Sequence, residues 1–166
     1  MADPTPSKPL IPASYGIPLD GSGAEKLPWS WAVERLSAAH NYWICTTRPD
    51  GRPHAVPVWG VWLDDAVWFS TARNTRKARN LERDPSVVIH LESGDETVIL
   101  EGEIDEVEAQ DELERFADIY EAKYDVRPSV DADRGPIFRL RPETAYTWEE
   151  RDYPGTATRW LFGQPA

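Results

Sequence analysis

Trp29, Ala32, Val33 and Leu36 recur at helical spacing and predict a short helix to about Ala39. After Asn41 the pattern turns to β. YWICTT reads as a strand, and RPDGRP at 48–53 as a hairpin turn with Asp50–Gly51 at its tip. The run from about His54 to Leu63 is apolar on both faces after Ala55 and reads as a single strand. Asp64–Asp65 predicts another tight turn, and AVWFST a third strand. A short helix is expected over about 75–83, closed by Asp84–Pro85, because a residue before proline leaves the helical region. SVVIHLE and TVILEGEIDEV are two more strands, joined by the turn Ser93–Gly94–Asp95. Leu113, Phe116, Ala117, Tyr120 and Tyr124 mark one face of an amphipathic helix of about four turns. The loop PSVDADRGP leads to a last strand pair, IFRLRPETAYTWEE and the tail TATRWLF.

Strands joined by hairpins pair antiparallel. The order therefore implies a mainly β fold, a closed or partly closed Greek-key barrel with helices at its ends, over residues 29–163. A strand apolar on both faces fills the barrel with one side and needs a cover for the other. A second copy of the chain is the simplest cover. Residues 1–28 hold six of the fifteen prolines and a GSG triplet, and read as an extended arm outside this domain.

A chain of 166 residues has room for one domain, and 40% hydrophobic with 28% charged residues is an ordinary globular balance. The single cysteine, Cys45, excludes an internal disulfide framework and reads as a buried strand residue. No apolar run approaches the roughly 20 residues of a membrane helix, and MADPTPSKPLIP lacks the apolar core of an export signal. The expected address is the cytoplasm, with no membrane partner.

Net charge changes the picture more. At −11 the chain is a poor partner for nucleic acid. Yet Ala72–Arg83 carries five bases (Arg73, Arg76, Lys77, Arg79, Arg83) against Glu82 alone, whereas Asp84–Asp125 carries fifteen acids against Arg115 and Lys123. A short cationic island in an acidic chain points to a small bound anion.

That island lies in WFSTARNTRKARNLERDP, residues 68–85. A strand ends at Ser70–Thr71, and the following helix opens with Thr75, Arg76 and Lys77. Cations are unfavourable at a helix N-terminus, where unpaired N–H groups already project positive charge. An anion among Arg73, Arg76, Lys77 and Arg79 removes the conflict and makes the turn a phosphate site. The alternative is a solvated basic face that pairs with acidic surface elsewhere. A second segment, RPHAVPVWGVW at 52–62, places Pro57 mid-strand, which marks an edge or bulge. Freed backbone groups there could meet a flat ring, or the segment is a plain edge strand. His40 reads as a helix-end residue, and His54 as a solvated position or part of the cationic rim. The Glu101, Glu103, Asp105, Glu106, Glu108 series reads as exposed strand and helix start. No H-E-x-x-H, G-x-S-x-G or P-loop pattern is present.

TTRPDGRPHAVPVWGVW, WFSTARNTRKARNLERDPSVVIHLE, TVILEGEIDEV and the terminal ATRWLF, in that order, resemble the pyridoxamine 5′-phosphate oxidase-like FMN-binding split-barrel superfamily. The likeness is to its branch of oxidoreductases dependent on the deazaflavin coenzyme F420, and it covers about 29–163. It implies that Ala55, Val56, Pro57, Val58 and Trp59 line the ring system, and that Ser70, Thr71, Thr75, Arg76 and Lys77 hold the phosphate. His90 would approach the ring or ribityl chain. Trp160 would close the site from the neighbouring subunit or cap its pocket. The resemblance also implies a homodimer with sites at the interface, and hydride transfer to a flat unsaturated small molecule. FMN is the alternative cofactor, and a flavin, F420 or tetrapyrrole carrier the alternative to an enzyme. The extra carboxylates of an F420 tail would call on Arg48, Arg52, Arg73 and Arg79. No side chain is forced into the role of acid, so no catalytic residue is assigned.

Overall fold

A computed structural model describes residues 3–9, 11–12, 26–131 and 135–163. The helix α1 spans Trp29–Ala38, α2 Arg76–Arg83 and α3 Gln110–Tyr124. The strands are β1 (Thr5–Ser7), β2 (Tyr42–Thr47), β3 (Pro53–Val58), β4 (Val61–Leu63), β5 (Ala66–Ser70), β6 (Ser86–His90), β7 (Glu96–Glu106), β8 (Ile137–Leu140), β9 (Thr144–Glu149) and β10 (Thr158–Leu161). All pairings are antiparallel. One sheet runs β1-β10-β9-β7-β6-β2-β3, and a second runs β4-β5-β8-β7. The eleven-residue β7 belongs to both: Glu96–Glu101 pairs with β9, and Ile104–Glu106 with β8. The result is a split barrel, open where β3 and β4 fail to pair.

The opening corrects one expectation. His54–Leu63 is not one strand, because Trp59–Gly60 breaks it and sends β4 into the other sheet. Gly60 is required there: a Cβ would lie 2.7 Å from the Trp68 carbonyl oxygen and 3.2 Å from the Tyr42 ring. The apparent apolarity on both faces came from joining two strands with different inner faces. β3 by itself alternates exposed Pro53, Ala55 and Pro57 with half-buried His54, Val56 and Val58.

Tyr42 and Ile44 (β2), Val87 and Ile89 (β6), Val98 and Leu100 (β7) and Phe69 and Leu140 fill the interior. Helix α1 stops one end, where the Tyr42 hydroxyl donates to the Leu36 carbonyl. Helix α2 stops the other, where Asn80 donates to Thr46 Oγ1 at 2.9 Å. The apolar stripe of α3 covers the outer side of the second sheet through Leu113, Phe116 and Tyr120 against Val61 and Trp68. The Asp64–Asp65 turn has left-handed backbone at both residues (φ 51° and 57°), as a tight hairpin requires.

Two more expectations change. The arm is not wholly apart, since Thr5–Ser7 adds an edge strand to β10; residues 13–25, including the GSG triplet, lie outside the described residues. Cys45 is half-buried on the outer face of β2 rather than in the core, and burial pushes its thiol pKa up. No described helix is long and apolar enough to cross a membrane.

Candidate functional site

The site grows from the N-terminal turn of α2. β5 ends at Ser70, and the Thr71 amide donates to the Pro136 carbonyl at 3.1 Å. Gly135 lets that crossing segment pass close, since a Cβ would fall 2.1 Å from the Thr71 oxygen. Thr75 then caps α2 by accepting from Ala78 N at 3.3 Å, and its hydroxyl lies 3.1 Å from that of Thr71. Arg76 and Lys77 follow in the first turn, with no acidic residue beside them.

The β2–β3 turn and β3 bring two further basic residues, Arg48 and His54, to this mouth. His54 on β3 lies 3.5 Å from Thr46 Oγ1. Burial first, then the charges of Arg48, Lys77 and Arg76, hold its imidazole below the usual range. Burial likewise pulls Lys77 down from the ordinary lysine value. Arg48, Arg76 and Lys77 form no ion pair among the described residues, although the chain carries a large excess of carboxylates. Two buried polar atoms here also lack partners among the described residues: Arg48 Nε, a donor, and Asn80 Oδ1, an acceptor. Orphaned buried groups are costly and rare, so a partner that supplies both an acceptor and a donor suits the mouth.

From this mouth β3 runs along the open edge, paired only with β2, for about 20 Å at ordinary strand rise. At its far end the exposed Trp59 indole stacks on Tyr124, with ring centroids 4.8 Å apart and planes 3° apart.

The residues expected from sequence thus divide three ways. Ser70, Thr71, Thr75, Arg76 and Lys77 gather at the mouth, and Ala55, Val56, Pro57, Val58 and Trp59 form the edge leading from it. His90 sits elsewhere in the same chain, on the outer sheet face, stacked on Trp43 across the β2–β6 pair. Trp160 is a core residue, donating to Thr147 Oγ1 at 2.8 Å and packed on Trp29. The proposed tail cations also part company. Arg73 is taken by Glu106 at 2.8 Å, Arg52 by Asp50 at 2.5 Å, and Arg79 donates to the Asn74 carbonyl at 2.6 Å, leaving Arg48. Sequence reasoning missed Asn80 and Thr46. A polar residue on the inner side of an amphipathic helix was the available signal for Asn80.

An open strand edge running from an anion-ready helix turn defines the flavin-binding split-barrel class. The pyridoxamine 5′-phosphate oxidase family profile matches residues 32–149, and the chain belongs to that family. Solved structures share the fold. A conserved hypothetical protein from Mycobacterium tuberculosis is 21% identical, with a TM-score of 0.68 over 88% of this chain and 96% of that one. An F420 reductase is 22% identical, with a TM-score of 0.55 over 68% of this chain and 93% of that one. A heme-binding protein from Mycobacterium smegmatis is 20% identical, with a TM-score of 0.64 over 83% and 60% of the two chains. At these identities the likeness is one of fold. No curated protein matches the sequence.

Proposed function

We propose that this chain is a cytoplasmic reductase that holds coenzyme F420 along the β3 edge and delivers hydride to a flat unsaturated small molecule. The observation that carries the reading is the mouth of α2, with uncompensated Arg76 and Lys77 beside an orphaned donor on Arg48 and an orphaned acceptor on Asn80. A phosphorylated polyol chain, which this cofactor shares with FMN, offers phosphate oxygens to the first three and hydroxyls to the last. Thr71 and Thr75 add hydroxyls at the same turn. Ala55–Val58 and Trp59 present an exposed edge and an indole face for a ring system. When bound, the deazaflavin supplies two-electron hydride chemistry. The chain's own residues anchor and orient it and keep one face of the site apolar.

F420 is favoured by the fold likeness to an F420 reductase, and FMN by the family's oxidase affiliation. Protein purified from its native host should release a ligand with a deazaflavin absorbance spectrum, and the reduced ligand should turn over with unsaturated acceptors. An FMN spectrum replaces the cofactor assignment, and tight binding without turnover replaces enzyme by carrier.

A second copy is proposed to cover the outer face of the larger sheet. Trp43, His90, Ile99 and Tyr146 form one cross-strand row there, with Cys45 and Val88 in the next, all half-buried. This row supports a homodimer and gives His90 a route to the partner's site. Sedimentation as a monomer at micromolar concentration with cofactor bound overturns it.

A further inference from the structure

A cavity of about 660 Å³ opens on the outer face of the larger sheet, at β9, four strands from β3 in the sheet order. It is lined by Tyr146, Trp148, Tyr153 and Glu150 and, from the arm, by Pro9 and Ile11. It lies at the end of the barrel that α1 stops, where Arg35 pairs with Glu96 and Glu96 stands opposite Glu149. The mouth of α2 is at the other end. Backbone bonds hold the walls in place. β1 is fixed on β10, with the Ser7 hydroxyl donating to the Arg159 carbonyl at 3.0 Å, and this sets the course of the arm toward Pro9. The Glu150 amide donates to the Asp95 carbonyl at 2.8 Å, the Tyr153 amide to the Glu150 carbonyl at 3.1 Å, and the Ala157 amide to the Pro154 carbonyl at 3.1 Å. Such a preformed pocket spends little of its binding energy on ordering itself.

The lining is aromatic and carries one sign of charge. The Trp148 and Tyr153 rings meet with centroids 6.1 Å apart and planes at 66°, which makes a corner, and Tyr146 shares the Trp148 face of β9. Glu150 is the one charged residue among the described lining, and it forms no ion pair with a described residue. Its neighbour Arg151 is taken by Glu149 at 2.8 Å and Asp152 at 3.3 Å. Arg159 faces Tyr146 across the β9–β10 pair but is not among the described lining residues. Acceptors are few, since the Thr158 hydroxyl already donates to the Thr156 carbonyl at 3.0 Å. Aromatic rings around one unpaired carboxylate attract a positive charge, and scarce acceptors favour one that donates no hydrogen bonds. We propose that this cavity binds small quaternary ammonium compounds, with the methylated nitrogen against Trp148 and Tyr153 and Glu150 as its counter-charge. The site is separate from the proposed cofactor site and needs neither the mouth of α2 nor the β3 edge.

The test is titration of the full chain with choline, followed by NMR at the Trp148 indole N–H. Choline should bind about tenfold or more tightly than the alcohol in which tert-butyl replaces its trimethylammonium, and more tightly than ethanolamine, which keeps the charge but donates hydrogen bonds. Trp148→Leu and, separately, the change Tyr153→Leu at an exposed position should each remove most of that preference. Glu150→Gln should weaken choline by about threefold, as expected of an exposed charge pair. Arg159→Met should leave choline binding unchanged. Equal affinity for the neutral alcohol, tighter binding of ethanolamine, or loss of choline binding in Arg159→Met overturns the proposal. So does a failure of choline to bind, the result expected if the second copy proposed to cover Tyr146 also fills the cavity. F420 and FMN titrations of Tyr153→Leu should match the parent protein, so this site can fail while the cofactor reading stands, and the reverse.

Discussion

Two arginine-rich regions of this molecule use the same side chains in opposite ways. Over the second sheet and α3, the arginines are paired: Arg139 reaches Asp105 at 2.6 Å and Glu112 at 2.7 Å, and Arg127 gathers Glu114, Asp118 and Glu121 within 3 Å. At the mouth of α2, Arg48, Lys77 and Arg76 all act on His54, and none of the three forms an ion pair with a described carboxylate. A chain with 29 acids has ample means to neutralise three more bases. Where it leaves them without an ion pair near a helix N-terminus, the proposed cofactor phosphate would supply the missing anion.

The contrast can be broken most directly at the mouth. Replacing Arg76 and Lys77 together with Gln should weaken F420 or FMN binding by about one to two orders of magnitude for each charge-assisted hydrogen bond removed. The cofactor-free variant should melt at the same temperature or slightly higher, because two cations leave a positive helix end. Binding by the parent protein should also weaken as salt rises. Unchanged affinity in a titration followed by cofactor absorbance would place the phosphate elsewhere.

Arg139→Met should show the opposite pattern. Its side chain is only 11% exposed and lies over the Trp68 ring, so its loss removes the packed partner of Asp105 and Glu112 and leaves Asp105 only Arg141 at 3.7 Å. Urea unfolding should register a cost of about 2 kcal/mol, with cofactor affinity intact. Arg127→Ala, at a more exposed site, should move the midpoint less than Arg139→Met does. Equal midpoint shifts for the two would mean that burial does not set the worth of these pairs.

The smallest effect concerns His54. Burial and three neighbouring cations hold its imidazole low in the free protein, and a bound anion acts the other way. Binding then takes up a proton, so affinity should rise as pH falls below the usual imidazole value of about 6.5. The cofactor-free fold should lose a little stability over the same range, because the unfolded chain takes the proton first. His54→Gln should flatten both curves, and a pH titration of affinity that is unaltered by the substitution removes His54 from the mouth.

Much of this architecture is legible in the linear pattern. The three helices fall close to their expected places, because apolar spacing at 29–36 and 113–124 and the Asp84–Pro85 stop are local signals, although Thr75 caps α2 rather than opening it. The 54–63 segment misled for a physical reason. Hydropathy counts apolar residues along the chain but cannot register that Gly60 turns β4 into another sheet. Trp160 was legible as a residue of the closing strand, but its packing on Trp29 and its hydrogen bond to Thr147 were not, because both come from segments remote in sequence.

By itself the sequence determined the three helices, the antiparallel hairpin character of the strands, and the existence of a cationic turn in an acidic chain, but not the breaks that divide 54–63 into β3 and β4 and 137–150 into β8 and β9. What it determined depends on spacing, turn chemistry and local charge, which act over a few residues. Only the tertiary structure decided which cations are free. Arg73 leaves the island for Glu106, thirty-three residues away, while Arg48 joins it from the β2–β3 turn, beside His54 on β3. The same holds for Lys123, brought to Gly60 across sixty-three residues. Whether a charge is neutralised or left for a ligand is set by distances of a few ångströms between segments remote in sequence, and only packing fixes those distances.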